Sequence, residues 1–425
     1  MRLLPITVKN WGLRHRFKMK KSKTPPIRFP EFNGDWASKE VSQLLNSISK
    51  RVDVIPTTEY QEIGIRSHGK GIFYKDPVLG KELGKKRVFW IVEDAFILNI
   101  VFAWEQAIAK TTSKEVGLIA SHRFPMYRPK KDAAYLDFIH YFFLTKRGKY
   151  LLEMASPGGA GRNKTLGKTR FMELNFRVPD VKEQQKIANF LSYVDQKIQQ
   201  LRQKKELLEE YKKGIMQKLF SQEIRFEDEN GNNFPDWEYI EFENQFDRVT
   251  RKNKEDNQNV LTISAQKGLI SQEEYFNRSV AANDLTGYYL LKKGEFAYNK
   301  SYSNGYPLGA IKRLTEYDKG VVSTLYICFK LREGNSEEFY EEFLDYGGIN
   351  HEIYKIAQEG SRNHGLLNVS VVDFFKDIKV PRPSYKEQKK IADFLNVISN
   401  KISVVSSKLE LADKFKKGLL QQIFV

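Results

Sequence analysis

Hydrophobic residues recur at alternating intervals of four and three in two stretches of the chain, residues 182–220 and 386–424. Such spacing, held over about five heptads, predicts a long amphipathic helix in each stretch. Each stretch lacks proline and begins with Lys-Glu-Gln shortly after a proline, which is typical of a helix start. We expect the apolar stripes to form helix–helix packing surfaces. The first stripe comprises Ile187, Leu191, Val194, Ile198, Leu201, Leu208, Ile215 and Leu219, and the second comprises Ile391, Leu395, Ile398, Ile402, Val405, Leu409, Ala412, Leu419 and Ile423.

The two stretches are copies of one another. When "KEQQKIANFL" is aligned with "KEQKKIADFL" and the alignment is extended without gaps, 18 of 39 positions are identical. Fainter matches keep the same order ahead of the helices: "IRFPEFNGDW" with "IRFEDENGNNFPDW", "AFILN" with "EFAYN", and "GRN" with "SRN". Each half is therefore a globular domain followed by a long helix. Two such helices most simply bury each other; packing of each on its own domain or on a partner protein is the alternative.

This organisation predicts five segments along the chain. They are a basic tail at 1–26, a first globular domain at 27–179, a first long helix at 180–222, a second globular domain at 223–381 and a second long helix at 382–425. The helices resemble each other far more than the globular domains do. The halves thus share a geometry but present different surfaces, which suits the reading of two unlike short sites on one linear ligand such as DNA.

The charge of the chain favours a polyanionic partner. Seventy Lys and Arg against 53 Asp and Glu give a net charge of +17, and nucleic acid is the usual partner of such a protein. Residues 1–28 supply nine of the basic residues and no acidic one, so part of the excess belongs to an arm. A single cysteine, Cys328, excludes an internal disulfide framework, and no apolar run approaches the roughly 20 residues needed to span a bilayer. We expect a cytoplasmic protein without membrane contact.

No stretch carries a recognisable catalytic motif. The Gly-rich segment "SPGGAGRNKT" at 156–165 fails as a phosphate-binding loop because Asn163 stands where the motif needs glycine. The six histidines have no metal-ligand spacing, and one cysteine cannot complete a site. We therefore expect no catalytic residue, no metal and no small-molecule substrate on this chain.

Basic residues interleaved with aromatic and amide side chains mark candidate DNA contacts in both domains. Arg reads guanine and Asn reads adenine by paired hydrogen bonds, whereas Lys mainly holds phosphates. The alternative is that most of these residues are only solvated; the "GRN" and "SRN" loops are the better candidates because they recur at matching places. The first domain offers Arg66, His68, Lys70, His122, Arg123, Arg162, Asn163, Lys164 and Arg170, and the second offers Lys300, Tyr302, Asn304, Tyr306, Lys312, Arg313, Arg362, Asn363 and His364.

The chain resembles the specificity subunits of type I restriction–modification systems. The strings that carry the resemblance are "VPDVKEQQKIANFLSYVDQKI" with "YKKGIMQKLF", their repeat "VPRPSYKEQKKIADFLNVISNKI" with "FKKGLLQQIF", and "LKKGEFAYNKSYSNGYPLGAIKRL" and "IRFPEFNGDW". The resemblance covers residues 27–425. It implies two mixed α/β (α+β) target recognition domains, separated by two long antiparallel coiled-coil helices in an internal pseudo-two-fold repeat.

The same resemblance implies a function in a larger complex. Each recognition domain would read one half of a bipartite, asymmetric site in double-stranded DNA, and the paired helices would set the spacer between the half-sites. Two methylation subunits and two motor–endonuclease subunits would be the partners. S-adenosylmethionine, ATP and Mg would be used by those subunits, with no cofactor on this chain.

Two alternative functions remain open at this point. One is a self-contained DNA methylase or nuclease, which would need catalytic motifs that the sequence lacks. The other is a non-catalytic scaffold whose long helices bind other proteins and whose basic surface is incidental. Residues 1–18 have no counterpart in the second half, and "KKSKTPPIRFPEF" after Met19 is typical of the start of such chains, so we expect translation to begin at Met19.

Overall fold

The structure is a computed structural model that describes residues 24–158, 164–264, 268–276, 284–302, 305–357, 362–363 and 366–424. These residues divide into two compact units. The first unit holds the described residues up to Arg202 together with those from Ser407 onward, and the second unit holds those of Gln203–Ser406. The predicted start at Met19 lies outside the described residues.

The first unit begins with a mixed domain and continues into a long helix. Its strands are β1 (Ala37–Glu40), β2 (Leu45–Ile48), β3 (Glu59–Tyr60), β4 (Ile63–Ile65), β5 (Ile72–Tyr74), β6 (Val78–Leu79), β7 (Val88–Trp90), β8 (Phe96–Leu98), β9 (Ile108–Lys110), β10 (Ile119–Ser121), β11 (Met126–Pro129) and β12 (Asn175–Val178). Its helices are α1 (Val41–Leu44), α2 (Leu136–Leu144), α3 (Lys146–Met154), α4 (Lys168–Met172) and α5 (Val181–Phe220), the last of which continues into the second unit.

The second unit begins and ends in the same order, but it has a short helix, Gln272–Phe276, between its strands and a strand pair, Arg362–Asn363 with Leu366–Leu367, between its helices. Its strands are β13 (Glu238–Glu241), β14 (Phe246–Arg248), β15 (Leu261–Ser264), β16 (Gly268–Ser271), β17 (Tyr289–Lys292), β18 (Phe296–Asn299), β19 (Ala310–Arg313), β20 (Lys319–Val322), β21 (Ile327–Leu331), β22 (Arg362–Asn363), β23 (Leu366–Leu367) and β24 (Lys379–Arg382). Its helices are α6 (Phe242–Gln245), α7 (Gln272–Phe276), α8 (Glu337–Tyr346), α9 (Asn350–Ile356), α10 (Val371–Lys376) and α11 (Tyr385–Gln422), the last of which ends in the first unit.

Each unit contains a four-stranded antiparallel sheet of the same topology. The strand order is β2-β11-β8-β9 in the first unit and β14-β21-β18-β19 in the second. In both units the strand just before the long helix pairs antiparallel with the strand that opens the domain, β12 with β1 and β24 with β13. The internal repeat expected from the sequence is therefore confirmed at the level of strand pairing.

Aromatic rings fill the core between each sheet and its helices. In the first unit Phe142 stacks on Phe176 with ring centroids 4.0 Å apart, and Phe424, just after α11, packs against Phe138 at 5.2 Å. In the second unit Phe242 stacks on Phe246 at 4.3 Å. Burial of such large side chains supplies much of the hydrophobic stabilisation of a domain.

The two long helices run antiparallel within each unit. In the first unit, the early part of α5 packs in one core with Leu419 at the end of α11 and with Ile423 just after it. In the second unit, the end of α5, with Met216 and Leu219, packs in one core with the start of α11. The predicted fold class, mixed α/β domains with two long antiparallel helices, is confirmed. The linear segment boundaries drawn from the sequence stay predictions, since each compact unit combines separate parts of the chain.

The predicted helix stripes are buried near the start and near the end of each helix and are mostly half-buried between. Buried members are Ile187, Leu191, Val194, Ile198, Leu219, Ile391, Leu395, Ile398, Val405, Leu419 and Ile423. Half-buried members are Leu201, Leu208, Ile215, Ile402 and Leu409. Their individual roles in helix–helix packing stay predictions.

Candidate nucleic-acid interface and its supports

The first turn of α5 is anchored to the beginning of the first domain by one buried carboxylate. Glu183 is fully buried and accepts two hydrogen bonds of 2.7 Å from Arg28, one from Nε and one from Nη2. The indole Nε1 of Trp36 donates a third at 3.3 Å. This paired geometry is the strong form of an Arg–carboxylate contact, and it raises the pKa of Arg28. The segment "IRFPEFNGDW" is thereby fixed to the helix.

The second unit builds the same anchor. Glu387 is fully buried and accepts hydrogen bonds from Arg225 Nε at 3.1 Å and from Arg225 Nη2 at 3.0 Å. Trp237 Nε1 donates to it at 3.0 Å, and the contact with Glu387 raises the pKa of Arg225. The Glu of each Lys-Glu-Gln string is therefore a cross-link between helix and domain.

The glutamine that follows each of these glutamates binds the backbone of the same domain. Gln184 accepts a 2.9 Å hydrogen bond from the Tyr135 backbone N–H, just ahead of α2, and donates at 2.9 Å to the Pro179 carbonyl. Gln388 accepts a 2.8 Å hydrogen bond from the Ser336 backbone N–H, just ahead of α8. From the sequence, these residues are predicted only to begin a helix. The repeated Trp and Arg in "IRFPEFNGDW" and its counterpart were the signal for this contact.

The loop between β4 and β5 carries three predicted contact residues. Arg66, His68 and Lys70 are all exposed. The Arg66 guanidinium lies 4.8 Å from the centroid of the Phe73 ring, and His68 has a positive φ of 62°. The His68 backbone N–H donates to the Glu105 carbonyl at 2.7 Å. A firmly held backbone thus presents basic side chains to solvent.

A cavity of about 450 Å³ lies beside the predicted pair His122 and Arg123, which are both exposed. Its wall includes the buried Glu62, which accepts hydrogen bonds of 3.3 Å from Lys75 and from Lys86. One carboxylate thereby holds two ammonium groups on the same wall. Lys75, Lys86 and Arg123 carry three positive charges in this region against the one negative charge of Glu62. Such an excess of positive charge favours contact with phosphates.

The remaining predicted residues of the first unit lie near the end of the domain. Lys164 places its ammonium 5.1 Å from the centroid of the Trp104 ring, and Arg170 is exposed in the last turn of α4. Arg162 and Asn163, the better candidates of the sequence analysis, lie outside the described residues.

Three predicted contacts of the second unit are engaged within the protein. Lys312 forms an ion pair with Asp345 and donates to the Tyr306 hydroxyl at 3.2 Å. Tyr306 in turn donates to Asp345 at 2.8 Å, and burial raises its pKa. Arg313, with only 12% of its side chain exposed, binds acidic residues of α8 at 2.6–2.8 Å. Their role as DNA contacts stays a prediction, and these ion pairs favour a structural role instead.

The other predicted residues of the second unit are less enclosed or not described. Lys300 is half-buried, and burial lowers the pKa of its ammonium, whereas Tyr302 is exposed. Arg362 and Asn363 form a strand that pairs with Leu366–Leu367. Asn304 and His364 lie outside the described residues.

The described residues show no metal cluster, no membrane-spanning helix and one buried thiol. Within the described ranges, no group of three His, Cys, Asp or Glu side chains is placed to hold a metal ion. Over the same ranges, none of the helices combines the length and apolar character that crossing a membrane requires. The buried thiol of Cys328 has its pKa raised by burial to about 12, so it is protonated at neutral pH.

Comparison with known proteins gives a consistent assignment. Residues 74–210 match the sequence model of the family described as "Type I restriction modification DNA specificity domain". The chain is 23% identical over 426 residues to the type I restriction enzyme MjaVIII specificity subunit of Methanocaldococcus jannaschii, covering 93% of this chain and 92% of that protein.

Solved structures show the same fold. The S subunit of a type I restriction–modification system from M. genitalium aligns with a TM-score of 0.55 and 15% identity, covering 95% of this chain and 99% of that one. A chain from a study of complex assembly and conformational transition of the type I R-M system aligns with a TM-score of 0.51 and 14% identity, covering 92% and 97%. These matches make the chain similar to type I restriction–modification specificity subunits over nearly its whole length, and residues 74–210 match the DNA specificity domain of that family.

Proposed function

We propose that each of the two units reads one half of a bipartite, asymmetric site in double-stranded DNA. The observation that carries this proposal is the duplicated sheet topology with a duplicated helix anchor, combined with different exposed loops in the two halves. A shared frame gives both readers the same attachment, and unlike loops give them different sequences to read. The net charge of +17 supports a polyanionic ligand.

The two long helices, in this proposal, set the spacer between the half-sites. Each helix contributes to both units and begins at a buried anchor, so its length and register are fixed relative to the domain it follows. Inserting one heptad into each helix is expected to change the permitted spacer and to leave both half-sites unchanged. An unaltered spacer would refute this part of the proposal.

The long helices also carry the residues that we assign to docking of two methylation subunits. Exposed apolar side chains stand at equivalent positions of the two copies, 204 residues apart: Tyr193 and Val397, Leu207 and Leu411, Tyr211 and Phe415, each 50–66% exposed. Exposed apolar residues that recur in both copies are typical of an interaction surface rather than of a solvated helix face. The chain itself would then be non-catalytic, with S-adenosylmethionine, ATP and Mg bound by the methylation and motor–endonuclease subunits.

Domain exchange tests the assignment of half-sites. Replacing residues 40–175 by the corresponding part of another specificity subunit is expected to alter one half of the methylated site. The readout is sequencing of methylated adenines in cells that express this chain together with a methylation subunit from the same host. A change in both halves would contradict modular reading. Absence of methylation by the unmodified pair would favour the scaffold alternative.

Charge substitution tests the docking surface. Leu411→Glu is expected to reduce co-purification with the methylation subunit while leaving DNA binding by the isolated chain unchanged. Leu325→Glu is the matched control, because Leu325 is a similarly exposed leucine, at 59%, outside the long helices. Equal loss of co-purification in both variants, or in neither, would refute the assignment of this surface.

A further inference from the structure

A lysine at the same position of the two long helices meets one carboxylate in each unit. Lys212 of α5 and Lys416 of α11 are 204 residues apart and interrupt their apolar stripes. In the first unit, Lys416 Nζ lies 2.5 Å from Asp195 Oδ1. In the second unit, Lys212 Nζ lies 2.6 Å from Glu342 Oε2. Both lysine side chains are only 20–22% exposed, so each depends on its carboxylate for compensation of charge.

The carboxylates come from different elements in the two units. Asp195 lies on the long helix α5, whereas Glu342 lies on α8 of the domain. The two units can be aligned here without ambiguity, because Gln184 and Gln388 bind the backbone N–H just ahead of α2 and of α8.

That alignment identifies the residue opposite each carboxylate. Ser399 of α11 is the counterpart of Asp195, 204 residues on, and Tyr141 of α2 is the counterpart of Glu342, 201 residues back. Both counterparts carry a hydroxyl group, and both use it on the carboxylate. Tyr141 donates to Asp195 Oδ2 at 2.8 Å, and Ser399 donates to Glu342 Oε1 at 3.3 Å.

In each site one carboxylate binds one lysine and one hydroxyl, and the carboxylate and that hydroxyl exchange places between domain and helix. In the first site Ser192 of α5 also hydrogen-bonds Tyr141 and adds no charge. In the first unit the domain gives the hydroxyl and the helix gives the acid. In the second unit the domain gives the acid and the helix gives the hydroxyl. Either arrangement balances the lysine with a single negative charge.

Mixed combinations lose that balance. A domain with tyrosine beside a helix with serine would face the lysine with two hydroxyls, which leaves an enclosed ammonium without a counter-charge. A domain with glutamate beside a helix with aspartate would place two carboxylates at one lysine, and like charges at that distance oppose each other.

We propose that the pairs Tyr141–Asp195 and Glu342–Ser399 match each recognition domain to its own long helix. A recognition domain can then be moved from one half of the chain to the other only together with the first fifteen residues of the helix that follows it, 181–195 or 385–399. The two sites contain equivalent helix ends, each carrying a lysine. The match between the domain and its own long helix decides whether that helix end is bound in place. This rule concerns assembly of the unit and is independent of the DNA sequence that the unit reads.

Substitutions in the full-length chain test the rule at the first site. Asp195→Ser removes the acid, Tyr141→Glu adds a second one, and the double variant reproduces the arrangement of the second unit. Hydrogen exchange of the amides in 413–422, at the end of α11, measures how often the helix end opens. We expect about tenfold faster exchange in each single variant and exchange within about twofold of the unmodified chain in the double variant.

The second site provides the reciprocal test. Ser399→Asp and Glu342→Tyr are each expected to speed exchange in 208–218, and their combination is expected to restore it. Glu410→Ser is the control, since Glu410 pairs with Lys414 on the same helix but both side chains are 68% exposed, and we expect no change there.

Rescue by the double variant is the result that a merely structural role for each residue would not give. If exchange rates multiply in the double variants, the pairs are not coupled and the rule is wrong. If a single variant does not fold, the double variant must still fold with protected amides; failure of both also overturns the proposal. DNA reading does not enter these readouts, so the proposed function stands or falls separately.

Discussion

Replacing the buried carboxylate of the first anchor is expected to loosen the first unit selectively. Glu183 is fully buried and receives three side-chain hydrogen bonds, two from Arg28 and one from Trp36. Glu183→Gln keeps the size of the side chain but removes its charge and turns one acceptor into a donor, which faces the donors of Arg28. The guanidinium, at 15% exposure, then loses its paired carboxylate and keeps only the weaker electrostatic attraction of Asp180 and Asp35.

The size of the effect follows from the burial of the pair. Removing one partner of a buried ion pair costs about 3–5 kcal/mol. Arg28 keeps limited access to water and the amide retains one acceptor, so we expect about 2–3 kcal/mol of lost stability for the first unit. With a urea dependence of about 1–3 kcal/mol per molar, the unfolding midpoint of that unit should fall by about 1 M.

The assay is urea unfolding followed by hydrogen exchange, which reports the two units separately. Glu387→Gln should produce the same loss in the second unit, and Glu206→Gln, at an exposed position of α5, is the matched control. Adding Arg28→Met to Glu183→Gln should cause little further loss, because the unpaired charge is gone. A midpoint change below about 0.2 M, or equal loosening of both units by Glu183→Gln, would refute the assignment of this anchor.

Three further predictions concern single residues. Burial lowers the pKa of His140 to about 4 from an ordinary 6.5, so its stabilising contribution is complete above pH 6.5 and is lost as pH falls towards 4. Over that range the free energy of unfolding should fall by at most about 3 kcal/mol because of this residue, and the fall should be absent in His140→Phe. Cys328, with its thiol pKa raised to about 12, should react with a thiol reagent only on unfolding, and rapid labelling of the native chain would contradict its burial. Arg123→Gln should reduce the slope of log affinity for DNA against log salt by about one. Lys312→Gln should leave that slope unchanged and lower the stability of the chain, because Lys312 pairs with Asp345. A reduced slope in Lys312→Gln but not in Arg123→Gln would show that this ion pair opens when DNA binds.

The long helices were predictable because their signal is local. Heptad spacing and the absence of proline are visible within any 20-residue window, and the helices run Val181–Phe220 and Tyr385–Gln422. The strands gave no comparable signal: β4 and β5 have three residues each, too few for alternation of polar and apolar positions to be read. The resemblance implied only that the domains are mixed α/β, and their sheet topology came from the structure.

For the candidate site, the sequence could predict which residues are basic and lie in loops, but not which of them are paired with acidic residues in the folded chain. Arg66 and Lys70 are basic loop residues, and the structure leaves them exposed. In the sequence, Lys312 and Arg313 are basic residues that cannot be distinguished from Arg66 and Lys70. In the structure, acidic residues of α8, 24–33 residues further on, lie against them and compensate their charge. A sequence of one chain does not show such pairing, because the two elements meet only after the sheet and the helix have packed.

The two halves share their buried helix anchors and differ in their exposed loops. This difference explains how the surface that meets a ligand can change without loss of the fold. The groups kept in both copies are enclosed and bound across distant parts of the chain, as Glu183 is to Arg28 and Glu387 is to Arg225, 155 and 162 residues apart. A change at any of them removes a partner from a buried charge and is costly. The exposed loop at 66–70 contributes little to the core, so substitutions there cost little stability and alter only the surface that a ligand meets. Variation is therefore cheapest at the positions where DNA would be read and most expensive where the helices are held.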